Sequence, residues 1–540
     1  MPRPAVAIAP AQPPPAPAPP HRRSSITAPA PALPLTRRAS LNVVAFALDF
    51  GVKTAVGLVV TPLLVERLGA ALFGVWEILG RLAGYVAALG GRPADALRLV
   101  VANRQAGDSS QRRATGSALV VWLLFLPLAT AASAAFAWYA PTLTGAPDEW
   151  RTAVRVSAGV LFAGGLVGAL LSVPESVLYG MNLGYKRMEL QAGLNLAGGL
   201  LTAGAVYAGL GLMGVSGAQV ILAALSGLCF WILAKRYVGW FGAARPSRAE
   251  VKTQLGLSAW LAGGDLIAKL LLASDVLILG ILVSPTIVTT YVLTGYAGRA
   301  AAAIHTSAVG AAMPGLGGLI GDRQYERATL VRRELLALTW LFTTAVGVTI
   351  LAWNRSFLTL WVGADKYAGT VVNLLLVIMA MQTAFIRADS YIIDAALQSW
   401  LRVVISVAAV VVTVALAIVF TRAWGLPGLC FGVIVGRLTQ TVAYPLLAHR
   451  SVGDRGAPVA PRVVRPLLVS GVLFALALRL ADRVAPLTWL GWAAGVAATV
   501  AVVAGVAFAT GLSTASRRAV VRRIVEIARK RAPKQPPPSP

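Results

Sequence analysis

Six basic side chains interrupt long apolar stretches of the sequence, where a positive charge is costly. A charge at the centre of a membrane-spanning helix costs about 2.5–3.5 kcal/mol, so it faces the protein interior or a water-filled cavity instead of lipid. Arginine and lysine bind phosphate well, the first through its planar fork and the second as a point charge. We therefore predict that these residues bind an anionic cargo, such as a phosphate or pyrophosphate group. They are Lys53, Arg81, Lys269, Arg299, Arg387 and Arg437.

Four acidic side chains accompany these cations, three of them at a spacing that places both residues on one face of a helix. Attraction within a pair at 4 Å, about 4 kcal/mol at an effective dielectric constant of 20, offsets only part of the cost of burial. Structural pairing is one interpretation. The other is that the acids neutralise an empty site, or bind a coupling proton or sodium ion. The acids are Asp49, Glu77 and Asp265, each four residues before a cation, and Asp275.

One of these spacings occurs twice. The Asp-x-x-x-Lys pattern appears in the apolar run that contains Lys53 and again in the run that contains Lys269. A basic residue follows in the next apolar run in both places, as Arg81 and Arg299. This recurrence indicates an internal duplication, and a duplicated membrane transporter binds its cargo where the repeats meet.

The elements that position these residues are predicted to be transmembrane helices. The chain of 540 residues is 57% hydrophobic and only 13% charged, whereas a soluble domain carries about 25% charged residues. Apolar runs of about 20 residues, the length that crosses a bilayer, recur along it. The composition predicts an all-α polytopic membrane protein with about fourteen spans. We place the spans near 42–65, 72–91, 114–138, 156–180, 190–209, 214–234, 257–283, 288–313, 335–353, 371–396, 403–421, 426–448, 466–485 and 488–511.

The order of these runs predicts two six-helix lobes around a central cavity, followed by two more helices. The predicted divisions are a disordered Pro/Ala-rich cytoplasmic extension (1–40), an N-terminal lobe (41–240), a cytoplasmic linker (241–256), a C-terminal lobe (257–450), two additional spans (451–512) and a basic tail (513–540). In the tail, Ser516 to Arg531 has one apolar helical face among arginines. This segment either lies on anionic lipid headgroups or is a solvated tail.

The formal net charge of +27 predicts a topology and not a nucleic-acid partner. Lysine and arginine concentrate in alternate short loops, as the positive-inside rule describes for cytoplasmic segments. Both termini are therefore expected in the cytoplasm.

Other classes of site receive little support from the sequence. Cys229 and Cys430 lie inside apolar runs, which argues against a disulfide framework or a zinc site. The histidines His21, His305 and His449 have no metal-ligand spacing, and a packing role is expected for His305. We predict no metal and no catalytic residues, and the sequence contains no phosphate-binding GxxxxGK loop for an ATP-driven mechanism.

Four segments carry a resemblance to a known family. The chain resembles bacterial polysaccharide-unit flippases of the multidrug/oligosaccharidyl-lipid/polysaccharide exporter superfamily over about residues 41–450. The segments are "TPLLVERLGAALFGVWEILGRLAGY" (Thr61 to Tyr85), "SDVLILGILVSPTIVTTYVLTG" (Ser274 to Gly295), "AMPGLGGLIGDRQYERATLVRRE" (Ala312 to Glu334) and "FLTLWVGADKYAG" (Phe357 to Gly369).

The resemblance implies a function in transport. It implies two lobes that alternate access to a cationic cavity and move undecaprenyl-pyrophosphate-linked oligosaccharide across the bacterial inner membrane, for O-antigen, capsule or exopolysaccharide. Expected partners are this lipid-linked cargo, membrane lipids, and possible polysaccharide polymerase and chain-length regulator proteins. No cofactor is expected beyond a coupling H⁺ or Na⁺, and the chain is expected to be a monomer.

Two other functions stay open at this point. An ion-coupled multidrug exporter of the same superfamily should have an acidic and aromatic cavity, which the cations disfavour. A polytopic membrane glycosyltransferase or polymerase could use Asp148 and Glu149 in the outer loop "APDEW". That loop is short, however, and a loop-capping role for the two carboxylates is the simpler interpretation.

Overall fold

The computed structural model describes most of the chain, and the described part is helical without strands. This confirms the prediction of an all-α polytopic fold. The predicted extension up to residue 34 lies outside the described residues, as does the apolar face of the basic tail. The described ranges are 35–103, 108–452, 460–481, 488–514 and 517–518.

Fifteen helices form two halves of the molecule, and two more follow. The first half contains α1 (Leu35–Leu89), α2 (Pro93–Asn103), α3 (Asp108–Thr144), α4 (Arg151–Leu171), α5 (Val173–Gly180), α6 (Gly184–Tyr207) and α7 (Gly211–Tyr237). The second half contains α8 (Arg248–Leu282), α9 (Pro285–Thr294), α10 (Tyr296–Gly310), α11 (Met313–Gly321), α12 (Tyr325–Trp361), α13 (Thr370–Ala395), α14 (Ser399–Gly436) and α15 (Leu438–Ser451). The last two are α16 (Ala460–Ala481) and α17 (Trp489–Gly511).

Ten segments of the described chain are long and apolar enough to cross a membrane. Two of them, Leu48–Leu89 and Trp400–Ser451, have 42 and 52 residues and each contain two of the predicted spans. The breaks within them fall at glycines with positive φ, Gly69 (77°) and Gly425 (61°). Glycine adopts this region without steric cost, so each break ends one span and starts the next.

The same packing pattern recurs in both halves. Helix α1 packs on α6 as α8 packs on α14, and α3 packs on α4 as α12 packs on α13. Likewise, α4 packs on α7 as α13 packs on α15, and α2 packs on α5 as α11 packs on α13. Helix α8 is the first helix of the second half in the sequence. It also contacts α1, α2 and α3, and therefore packs on both halves.

Helices α16 and α17 pack on α12 through tryptophans. The indole of Trp340 donates to the Ser470 hydroxyl (3.0 Å), and that of Trp353 donates to Thr499 (2.9 Å). Gly495 lies against the ring of Trp353 so closely that a β-carbon would overlap it. The two extra helices are therefore fixed to the second half by close, polar-anchored packing.

The halves contact each other at one end through small residues. Following the predicted orientation, we call this the outer end, and the opposite one the inner end. The Thr289 hydroxyl donates to the Ala70 carbonyl (2.6 Å). A β-carbon on Gly145 would lie 2.9 Å from the Gly280 carbonyl, and one on Gly74 would overlap the Pro285 carbonyl. The backbones of the two halves are in close contact here, and the outer end is therefore closed.

Candidate functional site

The structure divides the predicted site residues into three groups. One group lies where the halves meet, a second on the first part of α1, and a third in a cavity bounded by helices of the second half. The groups are Glu77, Arg81, Asp265, Lys269, Asp275 and Arg299; then Asp49 and Lys53; then Arg387 and Arg437. This arrangement differs from the single shared cavity predicted from the sequence.

Arg81 and Arg299 lie at similar depth on helices of different halves. At 1.5 Å per residue from the outer ends of their helices, Arg81 is about 18 Å deep and Arg299 about 21 Å deep. Arg81 forms an ion pair with Glu77 (Nη2 to Oε2, 3.7 Å), and both side chains are partly exposed. The exposed Arg299 donates to the Val292 carbonyl and interacts electrostatically with Glu77, Arg81 and Asp275. Within the described chain, no carboxylate lies within ion-pair distance of Arg299.

Asp265 links the two halves nearer the inner end. Its carboxylate forms ion pairs with Arg92, which precedes α2 (Nη1 to Oδ1, 2.7 Å), and with Lys269 (Nζ to Oδ2, 2.6 Å). The Lys269 ammonium also donates to the Gly84 carbonyl (2.6 Å), and the Tyr85 hydroxyl donates to the Lys269 carbonyl (3.3 Å). We call Arg92, Asp265 and Lys269 the ionic lock, because they join α8 to the first half.

A second ionic contact holds the start of α8 to the first half. Ser247 and Glu250 form a capping box, and the Arg113 guanidinium donates to Glu250 Oε1 (3.1 Å). The hydrogen bond from the Ser247 backbone and the Arg113 contact together lower the pKa of Glu250 to about 2. Glu250 is therefore ionised throughout the physiological pH range, so the charge that Arg113 contacts is always present there.

Asp275 makes its hydrogen bonds within the second half. It accepts from the Tyr291 hydroxyl (2.5 Å) and from the Val276 backbone N–H (2.8 Å). Arg299 interacts with it electrostatically. Asp275 thus supplies a negative charge close to Arg299 without forming an ion pair with it.

Asp49 and Lys53 do not form an ion pair with each other, although their four-residue spacing would allow one. Asp49 accepts from the Asn195 amide on α6 (2.7 Å). Lys53 is exposed, and no ion pair to it occurs among the described side chains. One turn away, a β-carbon on Gly57 would lie 2.8 Å from the Tyr296 hydroxyl. Since Tyr296 lies about one turn before Arg299, Lys53 and Arg299 occupy neighbouring helices at the same depth.

Arg387 and Arg437 line a cavity of about 90 Å³ between α8, α13, α14 and α15. Arg437 is 5% exposed and donates to the Thr383 hydroxyl (3.1 Å) and to the Leu271 carbonyl (2.9 Å). Arg402 from α14 lines the same space and is paired with Asp394 (2.8 Å).

Sequence analysis missed the partners that come from distant parts of the chain. Buried Arg332 pairs with Asp389 (Nη2 to Oδ1, 3.0 Å) and also donates to the Pro445 carbonyl (3.3 Å), which ties α12, α13 and α15 together. Arg92 and Asn195 were missed in the same way. No local spacing signals these contacts, because the partners lie on different helices.

The residues considered for an enzymatic site or for a metal site make structural contacts. Asp148 pairs with Arg151 (2.8 Å), and Glu149 accepts from the Trp150 indole (2.7 Å) in a three-residue 3-10 turn. Buried His305 bonds Thr339 (2.9 Å). In the part of the chain that the structure describes, no three His, Cys, Asp or Glu side chains come together as a metal site, and both cysteines are free.

Solved structures with the same arrangement of helices are membrane transporters. The lipid II flippase MurJ in an inward closed conformation superposes with a TM-score of 0.63 at 13% identity, over 85% of this chain and 98% of that one. A multidrug resistance MATE family transporter of the MOP superfamily, in an inward-facing conformation, gives 0.54 at 16% identity over 77% and 100% of the two chains. A eukaryotic MATE transporter also gives 0.54 at 16% identity, over 77% and 98%.

The chain has the fold of these transporters. No family model and no curated protein matches the sequence. The resemblance to the exporter superfamily therefore holds at the level of the fold, and the similar structures are transporters and flippases and not enzymes. The fold and the ten apolar segments identify a membrane protein.

Proposed function

We propose that this chain is a flippase that moves oligosaccharide linked to undecaprenyl pyrophosphate across the bacterial inner membrane, for the synthesis of surface polysaccharide. The observation that carries the proposal is the pair of exposed cations, Lys53 and Arg299, at one depth on neighbouring helices of the two halves. Neither has a carboxylate partner at ion-pair distance within the described chain. A pyrophosphate group supplies the negative charge that both of them lack.

The nearby acids fit a site that is empty. Glu77 pairs with Arg81, Asp265 is shared between Arg92 and Lys269, and Asp95 supplies a second carboxylate to Arg92. An entering pyrophosphate competes with these carboxylates for the same cations, so cargo binding weakens contacts that join the halves. Binding energy is thereby coupled to the opening of the ionic lock, as alternating access requires. Asp265 and Asp275 are the positions where we propose that a coupling proton or sodium ion binds.

One of the structures that share the fold supports a lipid-linked cargo. One structure that shares the fold, MurJ, is named a lipid II flippase. We propose the same kind of cargo here, with the anionic headgroup held between the halves and the lipid chain left in the bilayer.

The test is translocation of lipid-linked oligosaccharide in proteoliposomes that contain the purified protein. A charge-assisted hydrogen bond contributes about 1.5–3 kcal/mol, so Arg299→Gln should slow translocation by about 10- to 150-fold at 1.36 kcal/mol per factor of ten. Lys53→Gln should also slow translocation. Arg422→Gln is the matched control, because Arg422 is an exposed arginine near the end of a span on α14. Translocation at the wild-type rate in the double variant of Lys53 and Arg299 would reject the proposal.

A multidrug exporter is the second candidate, because several structures that share the fold are MATE transporters. Its cargo would be an organic cation, held by acids such as Glu77 and Asp275. Under this function Asp275→Asn should abolish efflux of a cationic dye from vesicles, and Arg299→Gln should leave efflux intact. Dye efflux with that pattern, together with no translocation of lipid-linked sugar, would favour this candidate over the first.

A further inference from the structure

The second half contains a cavity, lined by apolar and polar side chains, that the proposed transport site does not use. It lies between α8, α13, α14 and α15 and measures about 90 Å³. A water molecule needs about 10–15 Å³ of such space, so several water-sized groups fit. Its polar lining consists of Thr383, Arg387, Ser390, Arg402, Ser406, Arg437, Gln440 and Tyr444.

Arg437 is a buried cation whose hydrogen-bond partners are all neutral. It donates to the Thr383 hydroxyl and the Leu271 carbonyl, and its Nε is buried without a hydrogen-bond partner. Asp275 interacts with it electrostatically, but no carboxylate lies within ion-pair distance of it among the described side chains. A buried charge without an ion-pair partner is unfavourable. An anion in the cavity would remove that cost.

Arg387 adds a second charge without an ion-pair partner, although Asp394 interacts with it electrostatically. It lines the same cavity, is half-buried, and has neither a hydrogen bond nor an ion pair with any described residue. The third arginine, Arg402, is already paired with Asp394. Three guanidinium groups therefore line the cavity, and among the described side chains one of them, Arg402, has a carboxylate at ion-pair distance.

The rest of the lining is partly polar. Thr383, Ser390 and Ser406 line the space, and each donates its hydroxyl hydrogen to the backbone carbonyl four residues before it. The buried amide oxygen of Gln440 has no hydrogen-bond partner, so it can accept from a protonated ligand oxygen. On the rim, Gly264 and Leu272 of α8 are exposed, which provides an entry beside that helix.

We propose that this cavity is a phosphate-binding site, distinct from the cations between the two halves. Arg437 and Arg387 hold one phosphate group, Arg437 from the buried floor and Arg387 from α13. The phosphate is either a free ion or the headgroup of a lipid. The site does not depend on the proposed flippase activity, because binding is measured without translocation, and either proposal can fail alone.

The first experiment measures thermal unfolding of the purified full chain in detergent, with inorganic phosphate titrated at constant ionic strength. A ligand that binds only the folded state raises Tm with concentration, so phosphate should raise the Tm of the wild type. Arg387→Gln should need at least about ten times more phosphate for the same shift, since one charge-assisted hydrogen bond is lost. Arg422→Gln, an exposed arginine on α14, should respond as the wild type does.

Arg387 is the decisive position, because its replacement removes no described hydrogen bond and we expect the variant to fold. Arg437→Lys keeps the buried charge and removes the fork, so it should bind phosphate less tightly than the wild type and more tightly than Arg437→Gln. Two results overturn the proposal: a wild type whose Tm does not change with phosphate, or an Arg387→Gln variant that responds as the wild type does.

The second arm distinguishes the two sources of phosphate. A short-chain prenyl monophosphate is titrated in the same detergent, with Arg387→Gln beside the wild type. A shift that requires Arg387 and occurs at lower concentration than with inorganic phosphate supports a lipid headgroup as the ligand. A shift that requires Arg387 at equal concentration supports free phosphate. Shifts that persist unchanged in Arg387→Gln with both probes would refute the site.

Discussion

Replacing Asp265 with asparagine should release the inner ends of the two halves from each other. The substitution keeps the size of the side chain and removes the charge that pairs with Arg92 at 2.7 Å and with Lys269 at 2.6 Å. Arg92 keeps its ion pair with Asp95 (2.5 Å), whereas Lys269 is left without a carboxylate at ion-pair distance among the described side chains. Both effects disfavour the state in which the ionic lock is closed.

The exposure of the ionic lock sets the size of the effect. The side chains of Arg92, Asp265 and Lys269 remain 35%, 19% and 27% exposed, so water screens them and the 3–5 kcal/mol of a fully buried pair does not apply. The range for hydrogen bonds to charged groups, about 1.5–3 kcal/mol, is appropriate. At 1.36 kcal/mol per factor of ten, the ratio of closed to open molecules should fall by about 10- to 150-fold.

The assay is a distance measurement between spin labels on exposed positions at the inner ends, Ala102 on α2 and Leu330 on α12. Cys229 and Cys430 are replaced by alanine so that only the introduced cysteines react. A longer distance should dominate in Asp265→Asn. Asp148→Asn removes an acid from an exposed outer turn and should leave the distribution unchanged. If the distribution in Asp265→Asn matches the wild type, the ionic lock does not hold the inner ends together.

Three further predictions concern stability, each measured by thermal or denaturant unfolding in detergent. Asp389→Asn leaves the buried Arg332 uncompensated and should lower the free energy of unfolding by about 3–5 kcal/mol; a loss below 1 kcal/mol would contradict the buried pairing. Gly495→Ala should cost about 1–3 kcal/mol through overpacking against tryptophan, whereas Gly505→Ala, which meets nothing within 4 Å, should be neutral or stabilising. Because the folded pKa of Glu250 is depressed from 4.5 to about 2, its contribution is complete above about pH 4.5 and is lost as pH falls toward 2. The stability difference between wild type and Glu250→Gln should shrink over that interval, and a difference independent of pH would refute the assignment.

Local sequence spacing predicted the helices and the contacts within a helix. Apolar runs located the spans because the bilayer fixes their length. The four-residue spacing correctly placed Glu77 beside Arg81 and Asp265 beside Lys269. It allowed the same pair for Asp49, whose partner is instead Asn195 on another helix.

Contacts between helices could not be read from spacing. The Asp389 partner, Arg332, is buried on a different helix, so no spacing within one helix links the two residues. Arg387 and Arg437 were grouped with the other cations because all of them interrupt apolar runs. Their cavity depends on how α8, α13, α14 and α15 pack, which a single helix period does not encode.

The two ends of the molecule are closed by different kinds of interaction. At the outer end, Thr289 bonds the Ala70 carbonyl and glycines lie against backbone, so closure there depends on short-range packing. At the inner end, closure depends on the ion pairs of Arg92 and Arg113 with Asp265 and Glu250. Dissolved salt screens partly exposed charges, with a Debye length of about 10 Å at 0.1 M and about 3 Å at 1 M, but leaves packing nearly unchanged. Higher ionic strength should therefore loosen the inner end alone, and the ionic composition on one side of the membrane would influence which way the molecule opens.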